Sequence, residues 1–218
     1  RLAQGEAPIK ETLAASLIRL ANWKGDTPLI DPFCGSGTIA IEACLIAQNI
    51  APGFNREFVS EQWNIMPANI YDDYRDEADK MADYDKEIEV YASDIDPEMV
   101  EIAKRNAEEV GLSDIIKFSV KDVNTLTIDT EEPVALIGNP PYGERIGDRE
   151  EVEEMYRYIG KLMKQHPFLS TYILTSNKEF EYLVDRKATK RRKLFNGYIE
   201  CTYYQYWGKK TERKTIEN

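Results

Sequence analysis

The sequence predicts an α/β fold, a parallel sheet closed at one edge by an antiparallel hairpin. Three observations carry this. Short apolar runs alternate with segments of helical period along most of the chain, the pattern of βαβ units with right-handed crossovers. The first run, Leu29-Ile30-Asp31, enters a tight loop with two glycines and then a helical stretch from Thr38. Near the end, Asn196-Gly197 sits between β-rich segments, a hairpin signal of the type I′ kind.

Taken in order, residues 8–23 place Leu13, Leu17, Ile18 and Leu20 at helical spacing, with Pro8 near the first turn. This helix either only packs on the sheet or borders a ligand pocket with its start, including Thr12. The strand, glycine loop and helix of residues 29–47 follow, and Ala51-Pro52-Gly53 breaks that helix. Residues 51–87 carry aromatics and then a charged helical stretch, predicting an insertion inside the fold and not a second domain. Ile88 to Asp94 is a second strand, and Pro97 opens a helix that Gly111 closes. Ile115 to Asp122, Val134 to Ile137 and Ser170 to Ser176 are further strands, the last preceded by a helix over residues 151–165. The hairpin runs from Lys193 to Trp207. Residues 1–208 are expected to form one catalytic domain and residues 209–218 a polar tail. Because Arg1-Leu2-Ala3 is not a natural initiation site, an upstream region is expected before it.

Composition narrows the chemistry. The 218 residues are 42% hydrophobic and 31% charged, ordinary for a soluble domain with a sizeable core. No apolar run is long enough to cross a bilayer. Cys34, Cys44 and Cys201 form no CxxC pair, as expected of free thiols in a reducing cytosol. His166 is the only histidine, which argues against a zinc site, a histidine-based triad and a histidine general base. The net charge of −11 is unusual for a nucleic-acid binder, but its distribution is uneven. Acid gathers in residues 72–89 and 150–154, and base gathers in the run from Arg186 to Lys193. That run either guards an edge strand or holds a nucleic-acid backbone.

Ligands of open α/β sheets gather at the carboxyl ends of the strands. Here those ends carry Asp31, Asp94, Asp122 and Asn139. Each could merely cap a helix or begin a turn, but four in succession point to a site. Asp31 is positioned to catch a cationic group above the glycine loop, Asp94 to accept two ribose hydroxyls and Asp122 to accept from an adenine amino group. Gly35 and Gly37 permit close approach of a ligand to the backbone. Together these describe an adenosine cofactor with an amino-acid end. Gly35-x-Gly37-x-x-Ala40 also fits a dinucleotide fingerprint, although the acid comes further on than the roughly 20 residues such a site needs.

Asn139-Pro140-Pro141-Tyr142 is the most specific motif. Two prolines stiffen the backbone so that the Asn139 side-chain oxygen and the Pro140 carbonyl converge on a planar exocyclic NH₂. Its nitrogen lone pair is thereby aimed at an electrophilic methyl. The Tyr142 ring offers a surface for a base drawn out of its stack. Such catalysis is positioning and electrostatics, and it needs no histidine.

With DPFCGSG at 31–37, SDIDP at 93–97, KDV at 121–123 and NPPY at 139–142, the chain resembles class I S-adenosyl-L-methionine-dependent amino methyltransferases. GEAPIKETLAA, APGFNREF, GNPPYGERIG and NGYIEC narrow the resemblance to the THUMP-associated RNA guanine-N2 methyltransferases, whose bacterial members are often described as adenine-specific DNA methylases. The resemblance covers nearly the whole chain. It implies a Rossmann-like, mostly parallel seven-stranded sheet with helices on both faces, and a THUMP RNA-binding domain ahead of this one. It implies S-adenosyl-L-methionine as cofactor, with Thr12, Asp31, Phe33, Gly35, Gly37, Thr38, Asp94, Ile95, Asp122, Val123 and Asn139 as contacts. Asn139, Pro140, Pro141 and Tyr142 are the expected catalytic group, and Tyr142, Arg145, Arg191 and Arg192 the expected substrate contacts. Neither metal nor membrane is expected. The implied reaction methylates the exocyclic amino group of a guanine in cytoplasmic RNA, in large-subunit ribosomal RNA above all. Adenine-N6 methylation of DNA or RNA, glutamine methylation of protein, a nicotinamide-dependent oxidoreductase and a non-catalytic binding module are the alternatives.

Overall fold

The structure, a computed structural model, describes residues 9–54, 56–67, 69–142 and 149–209. Seven strands form one sheet in the order β3-β2-β1-β4-β5-β7-β6. β1 (Leu29–Asp31), β2 (Val90–Asp94), β3 (Ile116–Val120), β4 (Val134–Gly138) and β5 (Leu169–Thr175) pair in parallel, while β6 (Lys190–Asn196) and β7 (Ile199–Tyr206) pair antiparallel. The antiparallel strand β7 lies between β5 and the edge strand β6.

Alternate residues of β4 enter different cores, as the two-residue period of a strand requires. Ala135 and Ile137 pack with α1 (Glu11–Ala21), α2 (Thr38–Ala47) and α4 (Pro97–Glu109), through Leu17, Ala43 and Ala103 among others. Val134 and Leu136 face α5 (Arg149–Gln165) and α6 (Phe180–Leu183), through Tyr156, Ile159 and Phe180. β4 reads as a continuous apolar run because both its faces are covered. Glycine lets α5 sit close. A Cβ on Gly160 would come within 2.4 Å of the Val184 carbonyl oxygen.

Several local expectations need revision. α1 begins at Glu11 after Lys10, so Pro8, itself outside the described residues, precedes the helix. Residues 51–87 contribute a 3₁₀ turn (Val59–Gln62) and α3 (Ile70–Met81), neither of which buries a residue. An Arg75–Glu61 ion pair ties these two together. The hairpin turn also moves. Asn196 pairs with Ile199, so the two turn residues are Gly197 and Tyr198 rather than Asn196 and Gly197. Gly197 has φ 61° and Tyr198 has no positive φ, which suits a type II′ turn with glycine first and not type I′. Asn196 therefore belongs to β6 and is buried. Among the described residues no helix is long and apolar enough to cross a membrane. All three cysteines are buried and none is in a disulfide.

Candidate active site

The strand order brings the carboxyl ends of β1, β2, β3 and β4 side by side. They border a cleft of about 400 Å³ walled by the glycine loop, Asp94, Ile95, Asp122, Val123, Asn139 and Pro141. Phe33, Gly35 and Thr38 also stand on this wall, whereas Asp31 and Gly37 do not line it. Thr12 does not either. It is exposed on α1, and Ile9, just ahead of the helix, borders the cleft instead.

The glycine loop is held from three sides. The Gly35 N–H donates to Asp94 Oδ2 at 2.9 Å and the Cys34 N–H to the Ser93 carbonyl at 2.9 Å. Asn106 Nδ2, on α4, donates to the Ser36 carbonyl at 2.9 Å. The Gly37 N–H is used within the loop, donating to the Cys34 carbonyl at 2.7 Å. The two glycine amides are thus engaged by protein acceptors and are not turned inward to a ligand. What the glycines supply is conformation and room. Gly35 has φ 50°, and a Cβ there would meet nothing nearer than the Met99 side chain at 3.9 Å. Gly37 has φ 85°, and a Cβ there would press on Ala103 at 3.1 Å. Gly138 makes a comparable opening, since a Cβ there would lie 2.9 Å from the Phe33 ring.

Asp94 is fixed by two backbone donors, Gly35 on Oδ2 and Asp96 on Oδ1 at 3.0 Å. Each carboxylate oxygen retains acceptor capacity for a ligand hydroxyl. Asp122 Oδ1 accepts from the Asn124 N–H at 2.9 Å at the start of a short 3₁₀ turn. Asp31 differs from both. It is fully buried and does not itself line the cleft, as its neighbours Pro32 and Phe33 do. Its Oδ1 accepts from the Phe33 N–H at 3.3 Å, and Oδ2 has no partner among the described residues. Burial pushes its pKa up to about 8, against the pull of the Phe33 N–H, and the Asp94 charge adds to the rise. A buried acid with an orphaned oxygen beside a cleft is suited to a cation. The amino-acid ammonium of S-adenosyl-L-methionine meets that need, so the residues present fit this cofactor.

At the end of β4, Asn139 Oδ1 accepts from the Tyr142 hydroxyl at 2.6 Å. Asn196 Nδ2 donates to the same hydroxyl at 3.4 Å. Two residues after Asn139, the Pro141 carbonyl accepts from the Tyr156 hydroxyl at 3.0 Å, and Tyr156 also shares a hydrogen bond with Thr175 Oγ1 at 2.9 Å. Tyr142 is 4% exposed, so in this conformation its ring is mostly enclosed instead of forming an open stacking surface. It borders a small recess of about 180 Å³ shared with Arg149, Val152, Asn177 and Glu179.

Residues 1–205 match the family model described as RMKL-like, methyltransferase domain (UPF0020). This chain belongs to that family. Among its relatives, YpsC of Bacillus subtilis, named as a candidate RNA methyltransferase, is 54% identical over the whole of this chain and 57% of its own length. The ribosomal RNA large subunit methyltransferase K/L of Shewanella frigidimarina is 40% identical over 94% of this chain and 30% of its own length. Among solved structures, SMU.472, a methyltransferase candidate in complex with SAH, superposes with a TM-score of 0.90 at 43% identity, covering 96% of this chain and 55% of that one. The methyltransferase domain thus spans little more than half of YpsC and of SMU.472, and under a third of the K/L protein.

The domain holds some predicted substrate contacts away from the cleft. Arg191 and Arg192 lie on the edge strand β6, and Arg145 lies outside the described residues. Sequence reasoning also missed several residues. Ile9, Met99 and Met155 line the cleft, Asn106 braces its loop, the Asp96 N–H braces Asp94, and Tyr156 and Asn196 brace the NPPY turn. Asn196 showed in the sequence only as a turn residue. No sequence pattern marks a buried donor whose acceptor is more than fifty positions away.

Proposed function

We propose that this methyltransferase domain methylates the exocyclic N2 amino group of a guanine in RNA, within large-subunit ribosomal RNA, using S-adenosyl-L-methionine. The observation that carries the reading is the position of Asn139. Asn139, whose side-chain oxygen is braced by Tyr142, lines a cleft that also holds Asp94 and Asp122. When bound, the cofactor supplies a methyl made electrophilic by its sulfonium.

The residues then divide the work. Asp31 Oδ2 takes the cofactor's ammonium, Asp94 its ribose hydroxyls and Asp122 its adenine amino group. Asn139 Oδ1 has a second lone pair beyond the one Tyr142 occupies, and with the Pro140 carbonyl it holds the two N–H bonds of the target amine. Both N–H bonds are then turned away from the cofactor and the nitrogen lone pair toward it. Catalysis on this account is orientation within a closed site. The RNA preference is supported by the basic residues Lys190 to Lys193 on an exposed edge. It is also supported by the names of the relatives, and the same reading locates the protein in the cytoplasm with its ribosomal substrate. With a net charge of −11, the domain alone is expected to hold RNA weakly.

The test is methyl transfer from labelled cofactor to unmodified large-subunit ribosomal RNA, followed by nucleoside analysis. N2-methylguanosine is the expected product, and N6-methyladenosine would overturn the base assignment. Asn139→Ala should abolish transfer while sparing cofactor binding. A domain that only binds would show no transfer to lose.

A further inference from the structure

Asn196 is the first residue before the hairpin turn, where asparagine ordinarily stays exposed and bonds its own backbone. Here it is 2% exposed and reaches Tyr142, 54 residues earlier. Its Nδ2 approaches the Tyr142 hydroxyl at 3.4 Å, and that hydroxyl lies 2.6 Å from Asn139 Oδ1. A tyrosine hydroxyl has one proton to donate. With an N–H of Asn196 on its acceptor side, that proton goes to Asn139. The Asn139 amide then keeps its oxygen, not its NH₂, at the turn.

We propose that Asn196 is a positioning residue for amino-group methylation, acting through the Tyr142 hydroxyl to set the side-chain orientation of Asn139. This rests on the reading of Asn139 as the acceptor for the target amine. Asn196 thereby makes the C-terminal hairpin part of the active site without itself touching cofactor or substrate. A residue offering an acceptor in place of the Asn196 donor would draw the Tyr142 proton to itself. Asn139 would then be free to turn its NH₂ toward the target amine, where donor faces donor.

Asn196→Asp makes that exchange with almost no change of shape, and Tyr142→Phe removes the intermediary. In the full chain, Asn196→Asp should lower kcat for methylation of unmodified large-subunit ribosomal RNA by about tenfold or more. KM and cofactor affinity should be unchanged. In the Tyr142→Phe background, Asn196→Asp should have no further effect on kcat. Independent losses that multiply would overturn the proposal, because a structural role for Asn196 would not depend on one hydroxyl. The Asn139 side-chain amide signals in a ¹H–¹⁵N spectrum give a readout that needs no RNA. They should move on Asn196→Asp with Tyr142 present and stay put with Phe at 142. Signals that move while no RNA is methylated would sink the substrate reading alone. Signals that do not move would sink the role of Asn196, whatever the substrate.

Discussion

The Gly35 amide donates to Asp94 Oδ2 across 59 residues of sequence, at 2.9 Å. One hydrogen bond thus joins the glycine loop after β1 to the acid that ends β2. In the proposed binding mode, the glycine loop is thereby braced against the acid that takes the cofactor's ribose. The two acids beside this junction are not equivalent. Asp94 has two backbone donors, whereas Asp31 is buried with one oxygen unpartnered among the described residues.

The Asp31 carboxyl should make cofactor binding release a proton. With its pKa near 8 it is largely protonated at neutral pH, and an arriving ammonium favours the carboxylate. Cofactor affinity should therefore rise from pH 6 to pH 8. Calorimetry in buffers of different ionisation heat should register the proton. Asp31→Asn should abolish the release and weaken binding by about ten- to a hundredfold, the worth of one charge-assisted hydrogen bond.

The same group predicts a stability trend in the free protein. The folded pKa of about 8 lies above the unfolded value near 3.8, so between them the folded state holds a proton that the unfolded state has lost. The Asp31 contribution accordingly favours the fold at low pH and is lost as pH rises toward 8. Melting temperatures at pH 5.5 and pH 8.5 should differ less for Asp31→Asn than for the native chain. An equal difference in both would refute the assignment.

Gly138→Ala should damage the cleft from below. Its Cβ would stand 2.9 Å from the Phe33 ring and 3.7 Å from Ile173. Overpacking of this kind costs about 1–3 kcal/mol. Because Phe33 lines the cleft, thermal unfolding should show the loss of stability and titration with S-adenosylhomocysteine a loss of affinity.

Tyr156→Phe removes the hydroxyl that binds the Pro141 carbonyl and Thr175. A buried hydrogen-bonding group left without its partner costs about 1–3 kcal/mol. The ring itself remains packed edge-on against Phe180. Denaturant unfolding should show the lower stability. Methylation rate should fall more than cofactor affinity, since the carbonyl belongs to the NPPY turn.

Lys190→Glu with Arg191→Glu tests the exposed edge of β6. Neither residue lines the cleft, so cofactor affinity should not change. RNA affinity should fall, and the salt slope should drop by about 0.7 to 0.9 for every phosphate that is no longer neutralised. An unchanged slope would leave these cations as guards of an edge strand only.

The alternation of strands and helices, the hairpin and the row of strand ends at Asp31, Asp94, Asp122 and Asn139 were legible in the amino-acid sequence. They follow from side-chain periodicity and from the backbone limits of glycine and proline, both of which act within a few residues. Only the tertiary structure decided that Ile9 and not Thr12 borders the cleft, that Tyr142 is enclosed, and that Asn196 leaves the turn to enter β6. Each of these depends on which strands lie side by side and on which cavities remain after the helices pack. Asn196 meets Tyr142 because the strand order folds the C-terminal hairpin back along β5, next to β4. Such a pairing joins groups far apart along the chain, and its stability comes from packing that no local pattern encodes.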